Sequence, residues 1–163
     1  MKRPPASAFV AAAVAVAGFA GLIRGAVPQA VGGGLGGAAT DPIVVSGAYV
    51  REPASPDVAA AYFTVYNTTG TDDTLTSVAT GAGQSAAVMT EDASGGMQEL
   101  ATGLRIPAHS SVTLKPGKGH VMIEHLVGTL RPGQYVNLEL DFANAGPVNV
   151  SAPVIAINAE PPR

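Results

Sequence analysis

The sequence predicts an all-β fold, a sandwich or barrel of short strands, on three observations. Residues after Ile43 alternate with period two, turn formers (Gly, Pro, Asn, Asp) recur at spacings of about ten residues, and no segment there sustains a 3.6-residue apolar repeat. The chain of 163 residues holds one ordinary core and a flanking segment rather than two domains. Charged residues are 13% and hydrophobic ones 47%, which excludes disorder for the bulk of the chain, since a solvated coil needs more charge and less apolar surface.

In chain order, Lys2 and Arg3 precede an uninterrupted small and apolar stretch from Ala8 to Ile23, closed by Arg24. That stretch is slightly long for a signal core and short of the roughly 18 to 20 residues of a membrane span. Residues 1–30 are therefore expected to be an export signal or an N-terminal membrane anchor. Ala26 has Arg24 and Ala30 has Pro28 two positions upstream, so neither marks a clean cleavage point. With either reading the rest of the protein is extracytoplasmic, in the periplasm or cell envelope. The run "VGGGLGGAATDP" (31–42) is expected to be a flexible Gly-rich leader, because glycine loses the most backbone freedom on ordering and packs nothing.

Residues 43–158 are expected to form the β-domain and 159–163 a C-terminal tail. Within the domain "QYVNLELDF" is the clearest strand: Val136, Leu138, Leu140 and Phe142 alternate with Tyr135, Asn137, Glu139 and Asp141. "AAAYFTVYN" supplies an aromatic and β-branched run from Tyr62 to Tyr66, stopped by the turn formers of "NTTGTDD". Further short runs span 43–50, 74–80, 85–90, 111–114, 119–125 and 147–157.

Composition excludes several function classes. Beyond Arg24 six basic residues face twelve acidic ones, and an acidic chain without a Lys/Arg cluster is not a nucleic-acid binder. The absence of cysteine removes thiolate zinc sites, Fe–S clusters, blue copper, a cysteine nucleophile and a lipobox lipid anchor. No GxSxG elbow and no phosphate loop opening a helix is present, so an enzyme is not expected.

The remaining chemistry lies in methionine and histidine. Met89, Met97 and Met122 fall within one window that also contains His109 and His120, whereas 43–88 and 123–163 contain no methionine. On a strand His120 and Met122 of "GHVMIEHL" leave one face while Val121 and Ile123 enter the other. Val121 and Ile123 are the natural core pair, which puts Met122 on the outer face beside His120. Met89 and Met97 flank the polar turn "TEDASGG", at one hairpin end within reach of that strand. Thioether and imidazole together suit Cu(I) and are poor ligands for Ca, Mg or Mn. Methionine is also ordinary packing material, so spacing alone leaves metal binding and plain rim packing both open.

Three blocks of this sequence, in order, resemble the PCu(A)C-type periplasmic copper chaperone family. They are "GAYVREPASPDVAAAYFTVYNTTGTDDTLTSVAT", "LRIPAHSSVTLKPGKGHVMIEHL" and "LRPGQYVNLELDFANAGPVNVSAPV". The resemblance implies a cupredoxin-like Greek-key β-sandwich that binds copper, chiefly Cu(I), at an exposed Met/His site. It also implies transfer to a copper-accepting protein, the copper-A subunit of cytochrome c oxidase or another copper chaperone. His120 and Met122 match the family's His-x-Met. Met97 stands near its middle Met, given a small insertion around 98–102. Met89 is the counterpart of a first ligand that is usually His. Three Met with one His favour Cu(I) and weaken Cu(II).

His125 and Glu124 replace residues usually small or apolar, and His125 and His109 are expected at the surface. Residues 8–23 would provide a membrane tether if retained. The alternative reading is an exported interaction module without metal, using the same Met-lined face for a protein or membrane neighbour.

Overall fold

The structure, a computed structural model, describes residues 41–162. The expected signal or anchor and most of the Gly-rich leader lie outside the described residues. The described residues form ten strands and no helix: β1 (Ile43–Ser55), β2 (Val58–Asn67), β3 (Asp73–Thr80), β4 (Gly83–Glu91), β5 (Met97–Glu99), β6 (Leu104–Ile106), β7 (Ser111–Leu114), β8 (Gly119–Leu126), β9 (Tyr135–Phe142) and β10 (Gly146–Ile155). Their order is β5-β4-β8-β2-β1-β10-β9-β3-β6, with β7 also on β2. One layer is β5-β4-β8-β2-β1 and the other β10-β9-β3-β6. They join where β1 and β10 run parallel, Val50 beside Val154. Every other pairing is antiparallel.

The strands form where the alternation places them. In β9 Val136, Leu138, Leu140 and Phe142 are buried, and Tyr135, Asn137 and Glu139 are exposed. Phe63, Val65, Leu75, Ile106, Val121, Ile123 and Val154 meet them from the other strands in one core. Burying each such side chain contributes about 1.5–3 kcal/mol. Buried polar groups are satisfied: the Asn67 side-chain amide donates to the Thr71 carbonyl (2.7 Å) and the Ile106 carbonyl (3.2 Å). The Asp73 carboxylate accepts from the Asn144 and Ala145 N–H groups at 2.9 and 3.0 Å, closing the turn between β9 and β10.

Two strands, β5 and β6, were not among the predicted runs. Each has three residues, too few to display a period. β1 continues past the expected Val50 to Ser55 and carries a register shift between Ser46 and Tyr49, where Gly47 holds φ +60°. The extra residue there is a β-bulge of the glycine type. It reverses the alternation, so that Tyr49 lies opposite Tyr62 on the face away from the core, where both rings are nonetheless buried, while Val50 enters the core.

Candidate metal centre

The site is set by the turn before β8. In Lys115-Pro116-Gly117-Lys118 the Lys118 N–H donates to the Lys115 carbonyl at 3.0 Å, and Gly117 holds φ +80°. Proline second and a positive-φ glycine third make a type II turn. Gly119 follows because β4 comes close: a Cβ there would lie 2.9 Å from the Met89 carbonyl oxygen. The strands then run in the register Met89↔His120 and Ala87↔Met122.

Alternation with the buried Val121 and Ile123 turns His120 and Met122 to the outer face, both half-buried. Met89 is half-buried beside the buried Val88 on β4. The β4–β5 hairpin sets Met97 opposite Glu91 and Glu99 opposite Met89. Side chains directly opposite one another project to the same face, so Met89, Met97, His120 and Met122 share the outer surface of one sheet. Met97, 41% exposed, is the most open of the four. Met122 stands between Ala60 and Ala87, whose methyl groups are too short to cover its thioether from the flanks.

Aromatic rings support the histidine. Tyr62 lies with its ring centroid 6.1 Å from that of His120 and stacks on Tyr49 at 5.0 Å. The Arg51 guanidinium sits 5.8 Å from the Tyr49 ring centroid and donates to the carbonyls of Ile157 and Ala159. This ties the chain beyond β10 to the tyrosine pair. Burial raises the phenol pKa of Tyr62 and of Tyr49, keeping both rings neutral. Burial also lowers the His120 pKa below 6.5, so at neutral pH the imidazole keeps a lone pair for a metal.

Among the described residues no three His, Asp or Glu side chains converge as metal ligands. The cluster is built on sulfur, a donor set suited to a soft cation. His109, in the loop between β6 and β7, and His125, near the end of β8, are exposed at φ 51° and 53° and do not join it. Sequence reasoning missed Tyr49, Tyr62 and Glu99 as neighbours of the cluster. The aromatic run at Tyr62 signalled only a strand, and the bulge that brings Tyr49 beside it has Gly47 as its one local sign.

Residues 43–154 match the family model described as "Putative lipoprotein LpqE-like". The chain is 34% identical over 125 residues, 72% of each protein, to "Putative lipoprotein Lxx21020" of Leifsonia xyli subsp. xyli (strain CTCB07). Among solved structures it resembles the Cu(I) form of DR1885 from Deinococcus radiodurans, with 32% identity, a TM-score of 0.56, and coverage of 71% of this chain and 80% of that one. It also resembles the copper-bound PCuAC domain of PmoF2, with 24% identity, a TM-score of 0.62, and coverage of 71% and 93%. The cupredoxin-like sandwich expected from the resemblance is the fold of these domains.

Proposed function

The chain belongs to the LpqE-like family, and from that premise we propose that it is an extracytoplasmic copper chaperone that carries Cu(I) on Met89, Met97, His120 and Met122. One observation carries the reading: three thioethers and one neutral imidazole share the outer face of β5, β4 and β8, with Met89 directly opposite His120. The relative 32% identical over its matched region is a Cu(I) protein, which supports the same cargo here. Copper is the cargo, so the protein is a carrier rather than an enzyme.

Delivery follows from the donors. Thioethers are neutral, so each can leave the ion without separating charge, and the ion passes by exchange of one ligand at a time. The exposed Met97 yields first to a ligand of the acceptor, while His120, braced by Tyr62, leaves late. The acceptor is a copper-accepting protein such as the copper-A subunit of cytochrome c oxidase or another copper chaperone. Residues 8–23 export the protein or tether it to the membrane, and its 163 residues include no cysteine to carry a lipid.

The test is an anaerobic Cu(I) competition titration against a chromophoric chelator. The wild-type protein should take up Cu(I), and a variant with Met89, Met97 and Met122 all replaced by Ala should not. Equal uptake by the two would overturn the reading and leave an interaction module without metal.

A further inference from the structure

We propose that Glu99 is a further ligand of this centre, a carboxylate that lets it hold Cu(II) as well as Cu(I); this rests on the copper site proposed above. The register places it. Glu99 on β5 stands opposite Met89 on β4, and Met89 stands opposite His120 on β8. The three side chains form one row across three strands on the same face, with Met89 in the middle.

The spacing is favourable. The Leu100 N–H donates to the Val88 carbonyl at 2.8 Å, and the Asp92 N–H to the Gly96 carbonyl at 2.7 Å. These are the hydrogen-bonded pairs of the β4–β5 hairpin, so by alternation Met89/Glu99 is a non-hydrogen-bonded pair, the closer kind at about 4.5 Å between Cα atoms. Leu100 packs against the core and fixes the pleat, so its neighbour Glu99 projects to the opposite, outer face. An ion held on the Met89 sulfur between the two flanking strands lies within the length of a glutamate side chain from one side and of an imidazole from the other.

The other carboxylates of the hairpin are already engaged, Asp92 accepting from Ser94 and Gly96 within the turn. Glu91 pairs with the Lys118 ammonium at 3.0 Å, whereas Glu99 is exposed and makes no ion pair among the described residues. Its charge is available to a cation. Carboxylate and imidazole are the donors Cu(II) prefers, and the three thioethers are those of Cu(I). Glu99 with His120 therefore forms a hard side of the site and the methionines a soft side.

The experiment compares wild type, Glu99→Gln and Glu91→Gln, each titrated with Cu(I) under a reductant and with Cu(II) in air, with electron paramagnetic resonance spectra of the Cu(II) forms. Glu99→Gln should keep Cu(I) affinity near wild type, lose about tenfold in Cu(II) affinity and change the Cu(II) spectrum. Glu91→Gln, which removes the same charge from the same hairpin, should leave the Cu(II) spectrum as in wild type. Unchanged Cu(II) affinity and spectrum in Glu99→Gln, with normal Cu(I) binding, would overturn the role of Glu99 alone. Equal Cu(II) losses and spectra in both variants would also overturn it, by reducing the effect to net charge. Loss of Cu(I) binding by the wild type itself would instead sink the copper site.

Discussion

Strands β8 and β9 follow the same alternation and put it to different use. In β9 the outward positions are Tyr135, Asn137, Glu139 and Asp141, a solvated face over a hydrophobic inner row. In β8 the inner row is equally apolar, Val121 and Ile123 being fully buried, but the outward positions hold His120 and Met122. The inner faces explain the fold and the outer faces do not differ in anything the fold requires. A large thioether on an outer face, beside an imidazole and between two alanines, is the feature on which the proposed copper site rests.

Chemical oxidation would sharpen this contrast most. Conversion of Met89, Met97 and Met122 to sulfoxides replaces soft sulfur by polar oxygen and should abolish Cu(I) binding while the far-ultraviolet circular dichroism remains that of a β-protein. Unaltered binding by protein shown by mass to carry three sulfoxides would remove the methionines as ligands. Next in size is the effect on folding. Leu138→Ala, in the inner row of β9, should cost about 2–5 kcal/mol in denaturant unfolding, while Met122→Ala should fall well below that range. The reverse ranking of midpoints would make Met122 a core residue.

Within the proposed copper site, His120→Ala should weaken Cu(I) binding by about tenfold, whereas His125→Ala and His109→Ala should leave it near wild type. Equal losses in all three titrations would break the distinction between the β8 face and the surface histidines. The smallest effect is on pH dependence. Burial depresses the His120 pKa in the folded apo-protein below the ordinary 6.5, so on acidification the unfolded chain takes up its proton first. The stability His120 contributes is full above 6.5, declines as pH falls through the interval between the unfolded and folded pKa, and is constant below both. His120→Gln should flatten that part of the pH profile of the unfolding midpoint. In the same direction, Cu(I) binding should decline modestly on acidification as the imidazole takes up a proton and should persist on the thioethers, which a competition titration at two pH values checks.

How much of this was legible in the sequence varies with the range of the interaction that carries it. The alternation of β8 and β9 is local, and it was enough to assign Val121 and Ile123 to the core and His120 with Met122 to the other face. The turn "TEDASGG" is local as well, and it brought Met89 and Met97 to one hairpin. The row Glu99, Met89, His120, Tyr62 depends on cross-strand register, which no single segment encodes: it follows from the Gly119 approach, the close pairs of the β4–β5 hairpin and the β2–β8 pairing, while the bulge at Gly47 adds Tyr49 beside Tyr62. The short β5 and β6 escaped for a related reason, since a three-residue edge strand is specified by its neighbour rather than by its own pattern.

The parallel contact of Val50 with Val154 bears on the protein's biogenesis. The first strand pairs early with β2 on one side, but its other edge waits for the last strand, so this seam between the two layers cannot close until almost the whole chain is available. Closing so long a loop is entropically expensive and delays the native state. Under the proposed export this delay would be useful, because the early strands would emerge with that seam still open and the chain would not yet have closed into a sandwich when it threads a translocation channel. The domain, and with it the surface proposed to receive copper, would then be completed only on the far side.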